Sequence, residues 1–185
     1  VCSITLMKRI ILTGGPGTGK TTIISELRKR GYMCMPEVSR EVTLEAQKKG
    51  IEQLFLTEPL LFSKMLFEGR EKQYEKAQQS QAEWVFFDRG LPDVFAYLDY
   101  SKDSYPGYFK EKSEQYKYNH IFAFAPWKKI YTSDNERYES YEESVAIDEH
   151  IRKAYEELGY QIIHVPFGSV KERSDFIINW LKTHT

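Results

Sequence analysis

Short apolar runs alternate with longer amphipathic stretches along most of the chain. The apolar runs predict five strands, at about 8–13, 32–36, 84–87, 120–126 and 161–165. The amphipathic stretches predict helices at about 21–30, 39–49, 57–79 and 142–158, a punctuated helical region at 90–118 and a last helix from 169. Because alternating strands and helices are typical of a parallel sheet covered on both faces, we expect a three-layer α/β fold.

The long helix predicted from Pro59 changes character along its length. Residues 60–67 are mostly apolar, whereas residues 70–76 are mostly charged or polar. We therefore expect the first half of this helix to be buried and the second half to be solvated.

The size and composition of the chain favour one domain over residues 1–185. The chain has 185 residues, of which 41% are hydrophobic and 29% are charged, so it can bury an ordinary α/β core. No repeat, low-complexity tract or linker divides the sequence. Met7 is a candidate natural start, in which case residues 1–6 are an N-terminal extension.

Charge and cysteine content indicate which kinds of partner and which cellular compartment to expect. The net charge of −1 does not favour general attraction to nucleic acid or to membranes, although a local basic pocket is compatible with it. No apolar run approaches the length of a membrane span. The two cysteines, Cys2 and Cys34, show no metal or redox spacing. We therefore expect a cytoplasmic protein without a nucleic-acid or membrane partner.

The most specific chemical signal lies at residues 14–22, directly after the first predicted strand. These residues match the phosphate-loop pattern G-x-x-x-x-G-K-[ST]. Glycines let backbone N–H groups converge on phosphates, Lys20 would reach the β and γ phosphates, and the Thr21 hydroxyl would bind Mg²⁺. The flanking strand and helix argue against a chance glycine-rich turn. We predict that nine residues bind ATP: Gly14, Gly15, Pro16, Gly17, Thr18, Gly19, Lys20, Thr21 and Thr22.

The ends of the predicted strands indicate where further site residues lie. Ligands of open parallel sheets bind beyond the carboxyl ends of the strands, so the phosphate loop, residues 36–40 and residues 88–90 should converge. We expect the end of the second strand to neighbour the phosphate loop. Asp88 follows four apolar residues, where a carboxylate holds Mg²⁺ directly or through water. Its alternative role is to cap the next helix.

Three more residues at these ends are candidates for catalysis or substrate binding. Glu37 is interpreted as the general base for a substrate hydroxyl, or as a group that binds Mg²⁺ through water. The alternative is a solvated loop carboxylate. Arg40 and Arg89 are suited to bidentate contact with substrate or γ-phosphate oxygens, with structural ion pairs as the alternative.

A polar segment at 127–141 is interpreted as a flexible flap. It contains Arg137, which could close over the phosphates and stabilise the charge of phosphoryl transfer. The alternative is a solvated charge in a polar segment.

A group of tyrosines lies between residues 97 and 118. They could stack on an aromatic substrate, but packing in the core is the favoured interpretation. The group consists of Tyr97, Tyr100, Tyr105, Tyr108, Tyr116 and Tyr118.

Several segments together resemble a known family. They are similar to the NadR-like AAA-domain family of P-loop proteins, and they occur in the order 14–22, 36–41, 86–93, 130–137 and 157–160. The likeness extends over the chain from Met7. The family includes predicted ATPases and the ribosylnicotinamide kinase domain of NadR, and it is distantly similar to nucleoside and nucleotide kinases.

The resemblance implies a kinase-like fold that binds Mg-ATP and closes a flap. It implies that Glu37 faces the acceptor hydroxyl and that Asp88 and Arg89 face metal and phosphate. It further makes Arg137 the flap arginine and places Asp93 in contact with substrate.

Two functions remain open from the sequence. The first is a kinase that transfers the γ-phosphoryl group to a nucleoside-like or nucleotide-like small molecule. The second is a regulatory ATP- or GTP-binding ATPase, although no guanine-reading Asn-Lys-x-Asp motif is present. Glu37 discriminates between them, because a base for an acceptor predicts little hydrolysis when no acceptor is bound.

Overall fold

Five parallel strands form a single sheet in the computed structural model, which describes residues 6–131 and 139–184. The strands are β1 (Lys8–Thr13), β2 (Met33–Cys34), β3 (Trp84–Asp88), β4 (His120–Phe124) and β5 (Ile162–Val165). Their order across the sheet is β2-β3-β1-β4-β5. The predicted five-stranded parallel sheet is confirmed.

The pairing of β2 differs from the expectation. β2 pairs with β3, with Met33 opposite Val85, and β3 pairs with β1. The expectation that the second strand ends beside the phosphate loop is therefore wrong, because β3 lies between β2 and β1. β2 lies at the edge of the sheet and is short, with two residues paired to β3.

Helices cover both faces of the sheet. They are α1 (Lys20–Lys29), α2 (Val38–Lys48), α3 (Leu54–Thr57), α4 (Pro59–Ala77), α5 (Leu91–Ser101), α6 (Tyr108–Gln115), α7 (Tyr141–Glu157) and α8 (Val170–Thr183). Within the described residues, no helix has the length and apolar character needed to cross a membrane.

The core consists of two main layers, one on each face of the sheet. Along β1, Ile11 points to one layer, and Ile10 and Leu12 point to the other. This alternation follows from the two-residue period of a strand. The Ile11 layer is completed by α4, α5, α6 and α7, and the opposite layer by α1 and α8.

The burial of α4 follows the helical period and not the division into halves. Its buried side chains lie on one stripe: Ser63, Phe67, Arg70, Gln73 and Ala77. Leu60 and Leu61, in the apolar half, are 37% and 40% exposed. The expectation of a buried first half and a solvated second half is therefore wrong, because residues three or four apart share a helix face whatever the composition of each half.

The tyrosine group packs in the core, as the sequence favours. Tyr118 is buried, and the other five tyrosines of the group are partly buried against the same core layer as Phe95 and Phe109. The rings of Tyr105 and Phe109 stack with their centroids 6.0 Å apart. The break predicted at Pro106 and Gly107 separates α5 from α6.

Candidate active site

The phosphate loop connects β1 to α1 and depends on glycine at specific positions. Gly14 has φ 136° and Gly19 has φ 85°, values that side chains disfavour. A Cβ atom on Gly14 would collide with the Phe124 carbonyl of β4, and one on Gly19 would lie 2.9 Å from the Arg173 guanidinium. The loop is therefore packed closely against β4 and α8.

The inner side of the loop presents unpaired backbone donors. The N–H groups of residues 17–22 donate to no acceptor within the described residues. Because α1 begins at Lys20, the last three of these groups belong to the N-terminus of a helix. Such a set of donors is a binding site for an anion with several oxygens, such as a phosphate chain.

The Lys20 side chain lies inside the loop and is nearly buried. Its ammonium donates to the Gly14 carbonyl at 3.0 Å and to the Gly15 carbonyl at 2.8 Å. Burial, followed by the nearby charge of Arg89, lowers the pKa of Lys20 to about 7. A bound phosphate chain would supply the negative charge that favours the protonated form.

Asp88 ends β3 and is a carboxylate without a direct partner. Within the described residues it has no hydrogen bond or ion pair. Burial raises the pKa of Asp88, and the charge of Glu37 raises it further, against the lowering effect of Lys20 and Arg89. A desolvated carboxylate next to a second one favours a bound cation.

The donor set at this point suits Mg²⁺. Asp88 supplies carboxylate oxygen, and Thr21 is exposed at the N-terminus of α1 with its hydroxyl as a second oxygen donor. Among the described residues no group of three or more His, Cys, Asp or Glu side chains could hold a metal ion. Mg²⁺ would therefore depend on phosphate oxygens as additional ligands, as is usual for Mg²⁺ with nucleotides.

Arg89 is held against the phosphate loop. Its backbone has φ 68°, which is uncommon for a residue with a side chain. Its guanidinium donates to the Gly14 carbonyl at 2.9 Å and to Asp93 at 3.1 Å. The structural ion pair considered as the alternative is thus present, and contact with substrate stays a prediction.

Asp93 lies beneath the site and is fully buried. Its two carboxylate oxygens accept from Thr13, Arg89, the Gly90 N–H at 2.9 Å and the Tyr155 hydroxyl at 2.6 Å. Although burial alone would raise it, the guanidinium groups of Arg89 and Arg70 hold the pKa of Asp93 below its usual value. Four hydrogen bonds saturate a carboxylate, so the geometry favours support of Arg89 over the substrate contact that the resemblance implies.

Glu37 and Arg40 lie at the N-terminus of α2 and are exposed. The Glu37 carboxylate accepts from the Ser39 hydroxyl at 2.8 Å. Neither Glu37 nor Arg40 forms an ion pair with any residue the structure describes. Glu37 is close enough to Asp88 to affect its pKa, so the ends of β2 and β3 bring two carboxylates together.

The flap prediction falls largely outside the described part of the chain. Arg137 lies in the segment 132–138, which the structure does not describe. The described residues on either side are linked, because the Tyr131 hydroxyl donates to the Glu139 carbonyl.

Two buried arginines of the site lie outside the motifs identified in the sequence. Arg70, on α4, is 5% exposed and donates to the Gly90 carbonyl at 3.1 Å. Arg173, on α8, is 3% exposed and donates to the Thr18 carbonyl at 3.0 Å. One signal in the sequence places Arg70 on the buried face of its helix. Arg70 follows Phe67 by three residues and precedes Ala77 by seven, which is the spacing of residues on one helix face.

An aromatic pair lies beyond the ends of β4 and β5. The rings of Trp127 and Phe167 are stacked, with centroids 4.9 Å apart, and Phe167 is 55% exposed. The Arg173 guanidinium, which contacts the phosphate loop, lies 5.9 Å from the Trp127 ring centroid. An open aromatic surface next to a phosphate site is suited to a nucleobase.

The fold and the loop geometry agree with what is known of related proteins. A family model described as AAA domain matches residues 9–173, and the chain belongs to this family of P-loop proteins. No curated protein matches the chain in sequence.

Solved structures share the fold at low sequence identity. Deoxyadenosine kinase from M. mycoides, with dCMP and dCDP bound, is 18% identical with a TM-score of 0.68, covering 95% of this chain and 99% of that one. Shikimate kinase from Acinetobacter baumannii, with shikimate, is 14% identical with a TM-score of 0.65, covering 98% and 97%. NadR in complex with NR is 16% identical with a TM-score of 0.66, covering 97% of this chain and 50% of that one. The fold is therefore that of the P-loop nucleoside and nucleotide kinases.

Proposed function

We propose that this protein is a small-molecule kinase that transfers the γ-phosphoryl group of Mg-ATP to a hydroxyl group of a nucleoside-like or nucleotide-like acceptor. The observation that carries the proposal is the exposed Glu37 carboxylate near Asp88, at neighbouring strand ends beyond the phosphate loop; it accepts from the Ser39 hydroxyl and forms no ion pair among the described residues. Structures with this fold include deoxyadenosine kinase with dCMP, NadR with NR and shikimate kinase with shikimate, which supports an acceptor of this size.

ATP would occupy the phosphate loop and the β4–β5 side of the sheet. The free N–H groups of residues 17–22 and the Lys20 ammonium would bind the phosphates. Trp127 and Phe167 offer the surface for the base. Mg²⁺, held by Asp88, Thr21 and phosphate oxygens, would neutralise charge that develops on the transferred group.

The acceptor would lie on the β2–β3 side. Glu37 is placed to accept the proton of the acceptor hydroxyl, because its carboxylate is open to solvent. Arg40, which is also exposed and without an ion pair among the described residues, is placed to bind the acceptor. Arg137 would complete the site by contacting the phosphates in the transition state.

A phosphoryl-acceptor screen tests the proposal. We expect ADP formation to rise when the correct acceptor is added, and Glu37→Gln to reduce this acceptor-dependent rate by about 100-fold or more while ADP binding stays within about twofold. Glu41→Gln is the matched control, since Glu41 is an exposed glutamate on the same helix.

Two results would contradict the kinase assignment. One is rapid ATP hydrolysis by the purified protein without any acceptor, at a rate that Glu37→Gln leaves unchanged. The other is full acceptor-dependent activity in Glu37→Gln. The first result would favour the regulatory ATPase.

A further inference from the structure

A polar stripe on α7 faces the phosphate loop. Ser144 and Asp148 are buried and lie one helical turn apart. The Ser144 hydroxyl donates to the Pro16 carbonyl at 2.7 Å, and the Asp148 carboxylate accepts from the Gly15 N–H at 3.2 Å. α7 therefore binds two consecutive residues of the loop, Gly15 and Pro16.

The same part of the loop also binds the Lys20 ammonium. Lys20 donates to the carbonyls of Gly14 and Gly15, and Asp148 binds the N–H of Gly15. Rotation of the peptide groups around Gly15 would break the Asp148 contact and displace a carbonyl that holds Lys20. The carbonyls of Gly14 and Gly15 also accept from Arg89 and Thr18, whereas the Gly15 N–H donates to Asp148 alone among the described residues.

We propose that Asp148 is a positioning residue that fixes Gly15 and thereby orients Lys20 toward the phosphates of the nucleotide. The second oxygen of Asp148 accepts from Arg152 at 3.0 Å, in an ion pair whose arginine side chain is 38% exposed, so water can replace this contact. Ser144 adds a second contact to the same part of the loop. The proposal rests on nucleotide binding at the phosphate loop, as in the proposed function, but it does not require phosphoryl transfer.

The test measures the affinity for Mg-ADP by calorimetry in three variants. Asp148→Ala should lower the affinity about tenfold or more, since a hydrogen bond to a charged group is lost. Asp148→Asn keeps an oxygen acceptor for the Gly15 N–H and should stay within about threefold of the wild type. Arg152→Met is the matched control, because it removes the ion pair but leaves the Gly15 contact, and it should change the affinity less than twofold.

A double-mutant cycle separates positioning of Lys20 from general support of the fold. In a Lys20→Ala background, Asp148→Ala should change the affinity less than about twofold, because the ammonium that it orients is absent. An equal loss with and without Lys20, or no loss in Asp148→Ala, would overturn the proposal. If wild-type protein fails to bind Mg-ADP, the proposed function fails and not this inference alone.

Ser144→Ala provides a second route if Asp148→Ala does not fold. This smaller change removes one hydrogen bond and should lower the affinity a few-fold only when Lys20 is present. An affinity that Ser144→Ala does not change would overturn the proposal in that case.

Discussion

At the scale of single residues, Lys20 makes nucleotide binding depend on pH. Its pKa of about 7 in the free protein means that about nine-tenths of these groups are neutral at pH 8. Phosphate binding favours the ammonium, so binding of Mg-ADP should be accompanied by uptake of most of one proton at pH 8 and of much less at pH 6. The complex binds more protons than the free protein above pH 7, so affinity falls as pH rises. Calorimetry in buffers of different ionisation enthalpy measures this uptake.

Arginine at the same position serves as the control. Lys20→Arg carries its charge at every pH in this range, so it should take up no proton when it binds Mg-ADP. Uptake below about 0.2 proton by the wild type at pH 8 would contradict the lowered pKa of Lys20.

The proposed Mg²⁺ role of Asp88 predicts how turnover depends on the metal. Asp88→Asn removes one charge from the proposed Mg²⁺ site, and we expect turnover to fall on the order of 100-fold while the melting temperature stays within a few degrees. Turnover at a series of Mg²⁺ concentrations measures the effect. Asp99→Asn, an exposed change on α5, should leave turnover unchanged. Full activity in Asp88→Asn would show that the carboxylate does not hold the metal.

Site residues that lie in a local sequence pattern could be proposed from the sequence, and residues that reach the site through packing could not. The phosphate loop is contiguous, so its nine residues stand out as a motif. Asp88 and Glu37 are candidates because each directly follows an apolar run that ends at the ligand side of a parallel sheet, and their roles stay predictions. Arg70, Asp148 and Arg173 reach the site from helices, and their contacts depend on how each helix is rotated against the sheet.

At the scale of elements, α4 shows which side chains stabilise the fold. Phe67 is fully buried and stacks on Phe109 with centroids 4.4 Å apart, whereas Leu61 is 40% exposed. Phe67→Ala should lower the free energy of unfolding by about 3–5 kcal/mol, and Leu61→Ala by less than about 1 kcal/mol. Urea denaturation measures both. Similar losses in the two variants would contradict the assigned buried face.

The flap predicted at 127–141 gives a second prediction at this scale. Arg137→Ala should lower turnover on the order of 100-fold or more and change the affinity for Mg-ADP only a few-fold, because its proposed contact forms in the transition state. Lys129→Ala, an exposed cation in the described part of the same segment, is the control. A large loss of affinity with normal turnover would make Arg137 a residue that binds the ground state.

The elements themselves were largely predictable, and the order of strands was not. Apolar runs and helix stops give the five strands and most helices, since these signals are local. The position of β3 between β1 and β2 arises from pairing between segments far apart in sequence, such as Ile10 with Phe86. The apolar and polar halves of α4 do not indicate its buried stripe, because the buried side chains follow the helical period of about 3.6 residues.

At the scale of the whole molecule, nucleotide binding should stabilise the fold by mass action. A ligand at about 100 times its Kd adds about 2.7 kcal/mol, which corresponds to a rise of roughly 5–11 °C in Tm for a chain of this size. Mg-ADP should produce this rise in a thermal scan, and Lys20→Ala should remove most of it. An unchanged rise in Lys20→Ala would contradict the assignment of the phosphate loop.

The sheet order also has an evolutionary consequence. Glu37 and Arg40, the two residues proposed for the acceptor after β2, lie within residues 36–40. These residues and the helices α2, α3 and α4 form one continuous stretch of the chain that ends at Ala77. The residues proposed for ATP lie elsewhere, at 14–22 and beyond β4. On this proposal, substitutions within the one contiguous segment 36–77 would change acceptor preference while the residues proposed for ATP stay the same.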